Sequence, residues 1–165
     1  MCVYGVAVRG HDHKRADTLL GAQMSAPIAA GLAVLDGAVT VAGFQPDSLG
    51  RADLQAAIDR VDVAVDEDCE RSYPKTRSGT VSITITDGRV YDQRVPDPKG
   101  EAANPLSDGD LETKFRDNCD PILGDLASVA ALEIISNFRN EPAALNRLLQ
   151  LLTPADGATG KGTTP

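Results

Sequence analysis

The residues of this chain that could carry chemistry lie mainly near its N-terminus. His11, Asp12 and His13 could bind a metal or transfer protons, because imidazole and carboxylate groups do both. Alternate positions of one short segment, with no matching ligands elsewhere, make a poor closed metal site. A solvated loop that follows a strand is therefore the favoured interpretation, and we expect no bound metal.

Gln23 and Ser25 form a second candidate site, for an anionic ligand. Ser25 suits the N-cap of a helix that ends at Gly37, and the free backbone N–H groups of a helix N-terminus attract anions. Gln23 could add an amide donor beside them. The structural alternative is that Ser25 only caps the helix. Gln23 and Ser25 are our candidate substrate-binding residues.

Other motifs of catalysis or cofactor binding are missing from the sequence. It contains neither GxGxxG nor GxxxxGK[ST], so no phosphate-binding loop is indicated. Cys2, Cys69 and Cys119 are widely spaced and form no CxxC pair, which argues against a zinc site and a disulfide framework. The acidic run at 66–70 lacks the spacing of a calcium-binding loop. We therefore expect no cofactor and reduced thiols.

The composition is that of a soluble globular protein, with 42% hydrophobic and 24% charged residues. A net charge of −8 argues against nucleic acid and anionic membranes as partners, since both would be repelled. The longest apolar run, Ala26–Leu35, is shorter than the about 20 residues of a membrane span. With no signal peptide recognised at Met1, the expected location is cytoplasmic.

The elements that would position these residues alternate between strands and helices in the first two thirds of the chain. A strand at 3–8 begins almost at Met1, as if a preceding partner strand had been removed. Asp87-Gly88 predicts a two-residue hairpin turn with positive φ at both positions. The predicted elements are a strand at 3–8, a helix from Ser25 to Gly37, an extended piece at 39–44, a helix at 52–60, a strand at 61–65, a polar loop at 67–78 and a hairpin at 79–95.

Helices follow the hairpin. Ser107 and Asp110 suit a capping arrangement, and the first helix after them has an apolar face of Leu111, Phe115, Cys119 and Ile122. The next helix, at 126–138, carries Val129, Leu132 and Ile135, and the last carries Leu145, Leu148, Leu149 and Leu152. The predicted fold is one α+β domain over residues 1–152. It has a small antiparallel sheet with a hairpin, helices packed on one side and C-terminal helices. A disordered tail is predicted at 153–165.

Several short segments, taken in order and spacing, resemble a known family. They are Val61–Asp66, Gly79–Ile83 followed by Asp87-Gly88, Pro98–Gly100, Asn104–Ser107 and Asp110–Phe115. Upstream, the segment from Ala22 to Ala30 is similar to the family pattern A-x-[FH]-S-x-x-Y-x-A. Over about residues 3–152 the chain thus resembles the C-terminal region of the MmgE/PrpD family, which includes 2-methylcitrate dehydratase, cis-aconitate decarboxylase and iminodisuccinate epimerase.

This resemblance implies a small α+β domain that covers a cleft in a larger helical domain. Such enzymes use no metal or organic cofactor. They remove a proton beside a carboxylate of a small di- or tricarboxylate and then dehydrate, decarboxylate or epimerise it. The family's Asp, His and Lys belong to the helical domain, and its Lys-Pro-x-x-x-Cys…His segment would precede Met1. Ile28 stands where the pattern has tyrosine, so no hydroxyl is offered there.

Two hypotheses follow. In the first, the chain is the lid of a lyase that is inactive without a separately encoded helical partner and binds a small polycarboxylate. In the second, it is a non-catalytic binding module or a decayed remnant of such an enzyme. A metal-dependent enzyme using His11 and His13 is a weaker third idea. We also expect homo- or hetero-oligomers, formed through the Ala-rich helix at 26–36 or the first strand.

Overall fold

The structure of the chain, a computed structural model, describes residues 1–138 and 143–153. The chain divides into two compact units, Met1–Leu106 and Ser107–Pro165, and each is described by itself. The first unit combines helices with a sheet, and the second is helical within its described residues. The α+β class is thereby confirmed. A single domain over residues 1–152 stays a prediction.

The first unit contains short strands and short helices in alternation, with one three-residue 3₁₀ turn at Ala42–Phe44. In chain order the other elements are β1 (Cys2–Val3), α1 (Gly5–Val8), α2 (Leu19–Gln23), α3 (Ala26–Asp36), α4 (Pro46–Leu49), α5 (Ala52–Asp59), β2 (Ala64–Val65), α6 (Glu67–Ser72), β3 (Gly79–Thr84) and β4 (Val90–Val95).

Helix α3 begins and ends where the sequence predicts. The Ser25 hydroxyl accepts a hydrogen bond from the Ile28 N–H, and Pro27 occupies the first turn, where its missing N–H does no harm. Gly37 terminates the helix with a φ of 73°, a left-handed conformation that glycine adopts without a steric penalty.

The core of the first unit lies between α2, α3, the 3₁₀ turn and α5. Its buried side chains are Ala22, Ile28, Leu32, Phe44, Leu54 and Ile58. Gly31 allows α3 to approach α5 closely, because a Cβ at that position would lie 3.0 Å from Ile58 Cγ1 and 3.1 Å from Leu54 Cδ1. This core fixes the N-terminus of α3, where Ser25 lies.

The sheet has the strand order β2-β1-β3-β4 and is mixed rather than purely antiparallel. β1 pairs in parallel with β2 and antiparallel with β3. The parallel pair arises because the chain crosses through α1–α5 before it returns as β2. β1 therefore lies inside the sheet and offers no open edge, while association through the Ala-rich helix or the first strand stays a prediction. The open edge with six residues is β4.

The hairpin β3–β4 is confirmed, but its turn differs from the prediction. The Gly88 N–H donates to the Ile85 oxygen at 2.9 Å, and the Ile85 N–H donates to the Arg89 oxygen at 3.0 Å. These bonds enclose a three-residue loop, Thr86 to Gly88, in which Gly88 has a φ of 86° and Asp87 does not have a positive φ. The loop is thus a turn followed by a left-handed glycine rather than a two-residue turn.

Three other predicted elements are wrong. The strand predicted at 3–8 is two residues of β1 followed by α1, because the Gly5 N–H donates to the Glu70 carboxylate at 2.5 Å and the chain turns there. The piece predicted as extended at 39–44 contains the 3₁₀ turn. The loop predicted at 67–78 begins with α6, whose N-cap Asp66 accepts from the Cys69 N–H at 2.8 Å. The strand predicted at 61–65 is confirmed only as β2.

The second unit contains α7 (Asp108–Leu123), α8 (Asp125–Ser136) and α9 (Ala144–Leu152). Ser107 and Asp110 form the predicted capping box at the start of α7. The buried residues of α8 are Ser128, Ala131 and Ile134, one position before the predicted face. In α9 only Ala144 is buried, so its leucine stripe is not a core within the described residues.

Apart from Thr153, the predicted tail at 153–165 lies outside the described residues. Among the residues that are described, no helix combines the length and the apolar character needed to cross a membrane.

Candidate functional site

The candidate site is built from two segments of the first unit that the chain brings together, residues 10–14 and residues 21–26. The Ala26 N–H donates to the His11 oxygen at 2.8 Å, and His11 Nδ1 lies 2.9 Å from the Met24 oxygen. These contacts join the 10–14 loop to the turn between α2 and α3. In the predicted loop at His11–His13, the two histidines are thus partly buried and have defined contacts, while Asp12 is exposed.

His13 lies between two backbone oxygens. Its Nδ1 is 3.1 Å from the Gly10 oxygen, and its Nε2 is 2.9 Å from the Gly21 oxygen. A carbonyl oxygen only accepts, so a neutral imidazole can donate to one of the two and the imidazolium to both. The ring therefore links the 10–14 loop to α2, a structural role that the spacing of the two histidines in the sequence does not indicate.

Ser25 is buried, with 1% of its surface exposed. Its hydroxyl donates to the His13 oxygen at 2.5 Å while it accepts from the Ile28 N–H at 3.2 Å. One side chain therefore both caps α3 and holds the 10–14 loop. The one proton of the hydroxyl is thus already donated to a protein group.

The N-terminus of α3 has no spare donor in its first turn. The Ala26 N–H is bonded to His11, Pro27 has no N–H, and the Ile28 N–H is bonded to Ser25. The anion-binding interpretation assumed free N–H groups at this end of the helix. Because each is accounted for, the helix terminus cannot supply the donors that this interpretation needs.

Gln23 and Met24 are the exposed residues of the turn between α2 and α3. Gln23 is the last residue of α2, two positions before the buried Ser25. Its side-chain amide can both donate and accept, and a carboxylate can accept from it. Of the two predicted binding residues, Gln23 is thus the one whose side chain solvent can reach.

Nearby cations are paired with acidic side chains. Lys14 Nζ lies 3.2 Å from the Asp62 carboxylate, and Arg15 lies 2.8 Å from that of Asp59. These pairs attach residues 14 and 15 to the last residue of α5 and to Asp62 just after it. They are partly exposed, so each adds little stability, and their positive charge is already largely neutralised for any ligand.

Ile28, at the position where the family pattern has tyrosine, is a core residue with 4% of its surface exposed. It packs in the cluster with Leu32 and Leu54. Within residues 1–138 and 143–153, no three side chains of His, Cys, Asp or Glu gather in a way that could hold a metal ion. His11, Asp12 and His13 accordingly form no such group.

A comparison with models of known protein families shows to which family the chain belongs. The family model of the MmgE/PrpD C-terminal domain matches residues 3–139, most of the sequence. The chain belongs to the MmgE/PrpD family. The match includes the 10–14 loop, the α2–α3 turn and all of the sheet except Cys2.

Two curated proteins to which the chain is similar are cis-aconitate decarboxylases. The human protein is 27% identical over 128 residues, which cover 76% of this chain and 26% of the relative. The mouse protein is 30% identical over 119 residues, which cover 71% of this chain and 24% of the relative. The chain thus spans about a quarter of the length of these relatives.

Proposed function

We propose that this chain is the lid domain of an MmgE/PrpD-type lyase that acts on a small di- or tricarboxylate. It forms one wall of the substrate pocket, and a helical partner domain supplies the other wall and the proton-transfer groups. The reaction is a dehydration, decarboxylation or epimerisation beside a carboxylate. The observation that supports this most is the family match over residues 3–139 together with coverage of only a quarter of the decarboxylase relatives.

The contacts made by the side chains of the candidate site support the proposal that a partner domain supplies the catalytic groups. Elimination beside a carboxylate needs a base, an acid and cationic groups for the carboxylates. In the described site, His11 and His13 contact backbone oxygens, and Lys14 and Arg15 are paired with aspartates. These side chains do not make up the set of a base, an acid and free cationic groups that the reaction needs.

Within this proposal Gln23 and Ser25 have different roles in substrate binding. The exposed Gln23 amide contacts a substrate carboxylate directly. Ser25 is a positioning residue: its two hydrogen bonds hold the α2–α3 turn and the 10–14 loop in the geometry that presents Gln23. The substrate-binding surface is then the exposed end of α2 rather than the N-terminus of α3.

A titration monitored by NMR tests the proposed binding surface. The labelled chain is titrated with cis-aconitate and citrate, with acetate as the control ligand. We expect millimolar tricarboxylate to shift resonances of residues 10–14 and 21–26. Gln23→Ala should weaken binding about tenfold, the effect of losing one hydrogen bond to a charged group. The matched control Gln45→Ala changes another exposed amide and should leave the affinity unchanged.

A result without any specific shift at millimolar tricarboxylate would contradict the proposal and favour the second candidate function, a non-catalytic binding module or remnant. One observation favours that alternative: the position that the family pattern gives to tyrosine holds the buried Ile28. A side chain in the core has no hydroxyl to offer a substrate. Equal loss of affinity in Gln23→Ala and Gln45→Ala would likewise contradict the role of Gln23.

A further inference from the structure

We propose that Arg9 binds a second carboxylate of the small polycarboxylate whose first carboxylate contacts Gln23. This role rests on the proposed function, which supplies the ligand class and the contact with Gln23. Arg9 adds a free cation to a surface on which Lys14 and Arg15 are paired with aspartates. A ligand with two or more carboxylates is then held at two points rather than one.

Arg9 lies in a tight turn with a defined backbone conformation, directly after α1. The His11 N–H donates to the Val8 oxygen at 3.0 Å, and the Arg9 N–H donates to the Gly5 oxygen at 3.1 Å. Arg9 has a φ of −59° and a ψ of 110°, and Gly10 follows with a φ of 79°. These are the angles of a type II turn, whose second central residue needs the left-handed conformation that glycine tolerates. The turn thus fixes the backbone from which the Arg9 side chain extends.

The ring of His13 connects this turn to α2. Its Nδ1 lies 3.1 Å from the Gly10 oxygen, and its Nε2 lies 2.9 Å from the Gly21 oxygen. One imidazole ring and its two contacts therefore span the distance between the residue after Arg9 and the residue two positions before Gln23. Helix α2 contains no acidic residue that could pair with Arg9.

The end of the turn also contacts the segment between α2 and α3. His11 Nδ1 lies 2.9 Å from the Met24 oxygen, and Met24 follows Gln23 directly. Arg9 is two positions before His11, so Arg9 and Gln23 lie on backbone segments that touch each other. Both side chains are exposed and long, which lets them contact different carboxylates of one ligand of the size of citrate.

The guanidinium of Arg9 has no acidic partner among the residues that the structure describes. Asp12, the acidic residue nearest to it in the chain, is exposed and forms no ion pair with it. Arginine presents its N–H donors in one plane and can donate two of them to a single carboxylate. In a chain with a net charge of −8, an unpaired cation beside an exposed amide favours a ligand with several carboxylates.

Citrate binding, followed by NMR with the labelled full chain, tests this role. Arg9→Gln removes the charge but keeps a polar side chain and should weaken binding about five- to tenfold, the effect of one lost charge-assisted contact. Arg9→Lys keeps the charge without the planar fork and should retain more affinity than Arg9→Gln. The matched control Arg60→Gln changes another exposed arginine that lacks an acidic partner among the described residues, and should leave the affinity unchanged.

Ionic strength gives a second measure of the same contact. Raising sodium chloride from about 50 mM to about 500 mM screens exposed charges, so citrate should lose more affinity for the wild-type chain than for Arg9→Gln. Amide spectra, compared outside residues 8–14 and 21–26, check that each variant keeps the wild-type fold.

Citrate that binds with an affinity sensitive to Gln23→Ala but equal for Arg9→Gln and the wild-type chain would overturn the role of Arg9 and leave the proposed function standing. Equal losses in Arg9→Gln and Arg60→Gln would overturn it too, since they would show a general effect of charge. The absence of any citrate-dependent shift in the wild-type chain would contradict the proposed function itself, and the role of Arg9 with it.

Discussion

The helical core around Leu32 and the β3–β4 hairpin belong to the same unit but are covered very differently. Leu32, Leu54 and Ile58 are fully buried between α3 and α5. In the hairpin, by contrast, β4 is exposed along its whole length and β3 from Val81 to Thr84, including an apolar face. β1 pairs with β3 only at Gly79 and Thr80, so most of the hairpin is two-stranded, an arrangement that is only marginally stable by itself in water. The comparison shows a core that is closed by its own helices and a hairpin whose side chains are open to solvent.

Truncation of one side chain in each region is the strongest test of this contrast. Leu32→Ala should lower the free energy of unfolding by about 2–5 kcal/mol, because it leaves a cavity in a fully buried cluster. Ile83→Ala, on the exposed face of β3, should cost less than about 1 kcal/mol. Urea denaturation followed by circular dichroism measures both. Equal losses would show that the hairpin face is packed as tightly as the core.

Helix caps sharpen the comparison within the helical region. Ser25→Ala should lower the free energy of unfolding by about 1–3 kcal/mol, since it removes a buried cap and leaves the His13 oxygen without its hydroxyl donor. The matched control is Thr18→Ala, which removes the exposed cap of α2 and should cost about 1 kcal/mol or less. A smaller effect at Ser25 than at Thr18 would contradict the positioning role of Ser25.

A smaller effect is expected from Asp66, the N-cap of α6, on the way in which the stability of the fold depends on pH. The hydrogen bond from the Cys69 N–H holds the pKa of the Asp66 carboxyl below its usual value, and Arg94 on the hairpin acts in the same direction. A lowered pKa in the folded state means that Asp66 stabilises the fold above about pH 4 and loses this contribution as the pH falls through the lowered value.

Asp66→Asn keeps a side chain that can cap α6 but does not titrate. The melting temperature is measured between pH 2 and pH 7, a range around the usual carboxylate pKa of about 4. It should fall less steeply with acidification in this variant than in the wild-type chain. The same acid dependence in both proteins would contradict a lowered pKa at Asp66.

Local sequence rules predicted the elements whose ends are defined by one or two residues. The helix between Ser25 and Gly37 follows from a cap and a left-handed glycine, and the capping box at Ser107 and Asp110 follows from spacing. The hairpin was predicted from the alternation on either side of Asp87-Gly88. In each case the residues that determine the structure are close together in the chain.

Features that depend on distant residues could not be predicted in this way. The alternation of Tyr4, Val6 and Val8 suits a strand, but the chain turns into α1 because Gly5 bonds to Glu70, 65 positions away. The buried face of α8 lies one residue from the predicted one, since packing against other helices selects it. The contacts of His11 and His13 with the α2–α3 turn likewise have no local sequence signal.

The central claim is that this domain does not carry out lyase chemistry without a helical partner domain. The most direct measurement is the consumption of cis-aconitate, citrate and 2-methylcitrate by the purified chain, followed by NMR with and without an MmgE/PrpD helical domain from the same organism. Each absent acid–base group should reduce the rate by about 10²- to 10⁴-fold, so we predict no turnover above the uncatalysed rate without the partner and turnover with it. Turnover at enzymic rates by the isolated chain would contradict the account.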